Sequence, residues 1–298
     1  MHLPQAVQTS LNYWPADGPA KRELVLGTVG AYRRPIDRRS VSIQDVRGRE
    51  GTYTLNIHGF QFINHVSPHV ASFNEAAVKT YMYPEAEEIL KSATGATRVH
   101  VFSHITRTAP YEKVEAMVHS TDADTKATSL MVPARHVHVD QSEAGAFEVL
   151  KDNMTPEEAE RLGKTRWAII NIWRPLKPVP RDPLAVSDAR SFSDDDLLEI
   201  YGRVPGKEQE KDYDAATKGS GFGMLYGKYA PDQKWYYMSN MKPDQVVLIK
   251  CYDSKKDGKT SRRTPHTAFV DPRTQNVEEA RQSLELRCLV FFEDEPIA

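Results

Sequence analysis

Hydrophobic and polar positions along the chain follow two different periods. Glu23–Val29, Ser40–Val46, Thr52–Ile57 and Phe60–Val66 are short strand-like runs separated by turn residues, and the last two flank His58-Gly59 as a hairpin would. Helical spacing takes over at Asn74–Ser92, with Asn74 at the N-cap and Glu75 in the first turn. Val99–Ile105 returns to a strand pattern, Glu112–His119 is ambiguous, and Leu130–Asp140 is extended. Thr155–Gly163 predicts a helix with threonine at the N-cap, Pro156 at N1 and Gly163 as the stop. Arg166–Trp173 is a strong strand, Lys177–Pro183 a proline-rich loop, and Ser193–Tyr201 a short helix with an acidic first turn. Residues 202–223 are polar and glycine-bearing, which predicts a mobile loop and a lid over whatever site the chain builds. Trp235–Met238, Gln245–Tyr252, His266–Val270 and Ser283–Glu293 close the chain as strands.

Strands on both sides of a few helices, without βαβ alternation, predict a mainly β fold with flanking helices, an antiparallel barrel or sandwich. No linker or repeat divides the 298 residues, so 1–298 reads as a single domain, with 1–46 as an N-terminal extension packing on the barrel and 130–293 as the core.

Composition narrows the function classes. Basic and acidic residues, 39 and 41, are interspersed along the chain, so no basic stripe is present for nucleic acid. No apolar stretch is long enough to span a bilayer, and the first ten residues lack the charged and apolar regions of a signal peptide. The two cysteines, Cys251 and Cys288, sit in apolar strand runs and read as buried free thiols of a reducing, cytoplasmic compartment. A core of this size needs no metal for stability, so any metal has a functional role.

Arg135-His136-Val137-His138-Val139-Asp140 carries the candidate chemistry. On a strand, His136, His138 and Asp140 share one face, and His138-x-Asp140 supplies an imidazole and a carboxylate side by side, two-thirds of a facial triad for Fe(II). The bland reading is a half-exposed strand whose polar residues face solvent. His266, at the start of a C-terminal strand, supplies the third ligand. Arg281, followed two positions later by Ser283, is suited to bidentate capture of a dicarboxylate such as 2-oxoglutarate, although a solvated strand start beside Glu278-Glu279 has the same pattern. Asn171, on the Arg166–Trp173 strand, is placed either to hydrogen-bond a co-substrate or to satisfy backbone groups, and Trp235, Tyr236 and Phe60 either line an apolar pocket or form core. His136 reads as structural.

Asn240–Ser254 followed by Arg262–Phe269 resembles the fungal gibberellin-desaturase and aspergillic-acid-hydroxylase-like oxygenases, and so do His138–Ser142, Asn171–Pro175 and His58–Phe62. The resemblance runs from about Arg47 onward. It implies a double-stranded β-helix (a jelly-roll, cupin-like core), Fe(II), 2-oxoglutarate and O2, and hydroxylation or desaturation of a small secondary metabolite. It carries His138, Asp140 and His266 over as metal ligands and Arg281 with Ser283 as the co-substrate anchor, with Arg263 or Arg174 as alternative anchors. Two other readings keep part of this pattern: a cupin-type metal enzyme that uses no 2-oxoglutarate, and a metal-free ligand-binding β protein. Oligomeric state is left open, a homodimer included.

Overall fold

A computed structural model of the chain describes residues 6–18, 23–71, 73–203 and 221–297. Among the described residues fourteen strands form two sheets. The larger has nine: β1 (Val7–Tyr13), β2 (Glu23–Val25), β3 (Asp37–Asp45), β6 (His138–Val139), β8 (Leu184–Ser187), β9 (Leu197–Arg203), β10 (Gly221–Gly227), β11 (Trp235–Tyr237) and β13 (His266–Ala268). The smaller has five: β4 (Phe60–Asn64), β5 (Arg98–Arg107), β7 (Thr165–Pro175), β12 (Gln245–Asp253) and β14 (Ser283–Pro296). Their orders are β1-β3-β11-β8-β13-β6-β10-β9-β2 and β4-β12-β7-β14-β5. Pairing is antiparallel except for β11 with β3 and β2 with β9. This is the jelly-roll architecture expected from the sequence.

The main core lies between the sheets. Val139, Val186, Leu225 and Tyr226 of the large sheet meet Phe60, Ile169, Trp173, Val247, Ile249 and Leu289 of the small one. The opposite face of the small sheet carries Ile170, Ile172, Leu248, Leu286 and Val290, and helix Tyr83–Thr94 covers it with Ala86, Ile89 and Leu90. β7 is therefore buried on both faces, which explains why its sequence is nearly continuously apolar.

Several local expectations give way to tertiary context. Thr52–Ile57 is not a strand: Leu55–His58 is a helical turn that ends on Gly59 at φ 82°, so the proposed hairpin is absent. A side chain on Gly59 would also meet Thr264 Oγ1 at 1.9 Å. Glu112–Val118 is a helix. Ser193 does cap a turn, but only a 3-10 turn at Asp194–Asp196, after which the chain runs into β9. Helix Glu143–Asn153, capped by Ser142, was not anticipated. Residues 204–220 of the expected lid lie outside the described residues, and its end is the start of β10. Among the described residues no helix is long and apolar enough to cross a membrane.

Candidate metal centre

Three short pieces of backbone bring the centre together. β6 and β13 pair so that His138 and His266 are direct cross-strand neighbours, their ring centroids 4.4 Å apart. Asp140 follows His138 by two residues and returns to the same side. One ligand atom from each of His138, Asp140 and His266 lies within 4.8 Å of the others. Asp140 Oδ1 is 3.3 Å from His138 Nε2 and 3.8 Å from His266 Nε2.

Each ligand is aimed by a second contact. His138 Nδ1 is 2.7 Å from the His136 carbonyl, and His266 Nδ1 is 3.1 Å from the Thr264 carbonyl. A carbonyl can only accept, so both rings carry their proton on Nδ1 and leave Nε2 as a lone-pair donor. Asp140 Oδ2 accepts from Asn171 Nδ2 at 2.7 Å and lies 3.3 Å from Arg287 Nε, while Oδ1 stays turned to the imidazoles. Supporting contacts of this kind orient metal ligands and fix their tautomers.

Electrostatics agree with this division. Burial alone would raise the Asp140 pKa, but the Arg287 guanidinium beside it outweighs burial and holds the carboxyl well below its usual range. Burial, and then the neighbouring His138, push His266 down, which keeps it neutral. The donor set is thus two neutral imidazole nitrogens and one carboxylate oxygen on one side of a common point, which fits a facial site for Fe(II).

The other residues singled out in the sequence divide. Asn171 is in the centre, where its Nδ2 donates to Asp140 and to Glu285 (3.1 Å), while its Oδ1 is buried with no partner among the described residues. Arg281 and Ser283 are buried, Arg281 with its guanidinium over Trp173 at 5.2 Å and Nη1 donating to the Asp182 carbonyl at 2.8 Å. Arg174 is excluded from the centre by strand parity. It lies on the opposite face of β7 from Asn171 and is spent on His65, the Pro243 carbonyl and Glu85. Arg263 pairs loosely with Asp194 at 3.4 Å, on a groove it shares with Arg190 and Lys259. His136 is buried against Tyr226 and takes no part in the ligand cluster. Trp235 belongs to the outer core, where it donates to Tyr13, whereas Phe60 and Tyr236 pack together with Tyr53 toward the main core.

Glu285 and Arg287 are central and were not anticipated. Ser283, Glu285 and Arg287 share the parity of Leu289 and Phe291, which face the main core. A polar stretch continuing an apolar strand face is the signal that marks an interior polar site.

The chain matches the Oxidoreductase/YMDC permease-like domain model over residues 12–291. It is 59% identical over its full length to the hydroxylase/desaturase asaB of Aspergillus flavus, with all of both chains covered. It is 41% identical to the hydroxylase/desaturase CTB9 of Cercospora beticola over 90% of this chain and 81% of that one. The chain belongs to this fungal hydroxylase/desaturase family. The solved iron and alpha-ketoglutarate-dependent endoperoxidase NvfI superposes with a TM-score of 0.76, covering 98% of this chain and 99% of its own at 27% identity. Family membership makes the chain an oxidoreductase of the Fe(II)/2-oxoglutarate type and disfavours both the cupin-type and the metal-free alternatives.

Proposed function

We propose that this chain holds Fe(II) through His138, Asp140 and His266 and couples 2-oxoglutarate and O2 to the hydroxylation or desaturation of a small secondary metabolite. The observation that carries the reading is the convergence of three ligand atoms within 4.8 Å, with both imidazoles tied back at Nδ1. When bound, the iron with 2-oxoglutarate and O2 supplies the oxidising power, and succinate and CO2 are released. The chain's own part is positioning. Asn171 and Arg287 fix one Asp140 oxygen so that the other faces the metal. Ile169 and Trp173, flanking Asn171 on the inner face of β7, exclude water.

Arg281 anchors the distal carboxylate of 2-oxoglutarate. It is a buried cation that, among the described residues, has Nε unpartnered and one hydrogen bond, to a neutral carbonyl, and Ser283 follows two positions on. Burial lowers its pKa to about 10, so it remains charged at neutral pH. Arg263 stands as the alternative anchor, and Arg174 has no free face for the role. Residues 1–298 act as one unit on a small molecule, with no nucleic-acid partner, in a cytoplasmic setting that accords with the buried free thiols of Cys251 and Cys288.

Anaerobic reconstitution should load one Fe(II) per wild-type chain, and His138→Ala and His266→Ala should lose it while remaining folded. Arg281→Ala should keep the iron and weaken 2-oxoglutarate by roughly 30-fold or more, the effect of deleting one partner of a buried charged pair. Full iron content in a triad variant would remove that residue from the centre, and an unchanged 2-oxoglutarate affinity would move the anchor to Arg263.

A further inference from the structure

Two partly buried arginines carry positive charge that the proposed chemistry does not use. Arg34 donates through Nη1 to the Tyr226 hydroxyl, and its Nε is buried with no partner. Arg107 donates to the Val132 carbonyl at 2.8 Å. Among the described residues neither guanidinium has a carboxylate within ion-pair distance. The nearby Asp182 is taken by Arg135 at 2.6 Å, and Glu285 by Arg287 at 3.2 Å. A guanidinium partly withdrawn from water and matched only to neutral oxygens is well placed to receive an anion.

Arg34 stands close to the centre. Its guanidinium carbon is 5.4 Å from the Tyr226 ring centroid, and Tyr226 is the β10 partner of His138, their rings 6.5 Å apart. One aromatic ring therefore separates this cation from a metal ligand. Arg34 approaches from the large-sheet side, whereas Arg281 lies over Trp173 of the small sheet.

2-Oxoglutarate leaves one carboxylate for the protein once its other end chelates a metal, and Arg281 alone suffices for it. We infer that Arg34 binds an anionic oxygen group, a carboxylate or an acidic enol, on the prime substrate. This rests on the oxygenase reading above. The substrate is then a small acid whose charged end sits beside Tyr226 and whose oxidised carbon lies toward His138. Arg34 is a specificity-determining residue, and Tyr226 keeps its guanidinium in place.

The test uses the full chain loaded anaerobically with Mn(II) and 2-oxoglutarate, which occupies the co-substrate anchor. Matched pairs of small aryl acids and their primary amides (phenylacetate, 4-phenylbutyrate and indole-3-acetate with the corresponding amides) are titrated calorimetrically. At least one acid should bind about 30-fold more tightly than its amide. Arg34→Met should abolish that preference and leave 2-oxoglutarate affinity unchanged, and Arg34→Lys should restore part of it. Arg281→Met should give the reverse pattern. The inference is overturned if no acid outbinds its amide, if the preference survives Arg34→Met, or if Arg34→Met weakens 2-oxoglutarate instead. The wild-type comparison decides even if Arg34→Met does not fold. Absence of any Mn(II)-dependent 2-oxoglutarate binding would sink the parent reading as well, which separates the two failures.

Discussion

Replacing Arg287 with methionine keeps most of the side chain's bulk and removes the one cation, among the described residues, in contact with the Asp140 carboxylate on its Oδ2 side. Asp140, Glu285 and Arg287 are nearly buried, with side-chain exposures of 6%, 9% and 12%. The cluster carries one net negative charge in the native chain, and two after the substitution. Breaking a buried pair in this way costs about 3–5 kcal/mol, because uncompensated charge is left in a medium that cannot solvate it. At roughly 2–4 °C per kcal/mol for a chain of this general size, the metal-free protein should lose about 6–20 °C in Tm. A bound divalent cation changes the balance, since the ion held at Asp140 offsets the negative charge of the cluster. The loss should accordingly be less than half as large in Mn(II)-loaded protein. Differential scanning calorimetry of both forms, with matched wild type, measures the two numbers. Equal losses with and without metal would refute the electrostatic reasoning, and so would a metal-free loss below about 2 °C.

Two further outcomes concern the frame around the centre. Asp253 sits between Lys250 Nζ (2.7 Å) and Arg166 Nη2 (3.0 Å); burial would raise its pKa, but these two cations outweigh it and hold the carboxyl below its ordinary 3.8. A depressed carboxylate contributes stability above its unfolded value and loses it as pH falls through the folded one, so Asp253→Asn should destabilise by about 3–5 kcal/mol at pH 7 and flatten the acid limb below about pH 4 in urea titrations; a variant with an unchanged acid limb would assign that limb to other groups. Gly59→Ala puts a methyl into Thr264 at a φ that L residues rarely adopt, and should lower both Tm and Fe(II) content, because Thr264 supplies the carbonyl behind His266; normal iron content would show that the 264–266 segment absorbs the clash.

Strand positions in the C-terminal half were legible because each is a self-contained apolar run, and β7, β12 and β14 fall where the pattern puts them. The misreadings share a cause. Thr52–Ile57 and Ser193–Tyr201 are short segments whose local preferences are weak, and neighbours decide them. The first turns into a helix because Gly59 must adopt positive φ against Thr264, and the second is drawn into strand by pairing with β10.

The triad was legible because its spacing is a covalent fact: two positions on one strand and a third at the head of another. Its supporting shell was harder to see, since Asn171, Glu285 and Arg287 acquire meaning only when β7 and β14 pair, setting Arg287 opposite Asn171. Read singly, Ser283-Leu284-Glu285-Leu286-Arg287 is the alternation of a half-solvated strand. The apolar residues Leu289 and Phe291 farther along the same face say otherwise, because a strand cannot turn one face to water and then to core without a twist or a bulge between. Here the irregularity between Arg287 and Cys288 leaves that face inward throughout, with Glu285, Arg287, Leu289 and Phe291 all directed to the interior. The polar half of β14 is therefore interior, and interior polar groups require partners. In this chain those partners are Asp140 and Asn171, which makes the polar face of β14 part of the centre and not part of the surface.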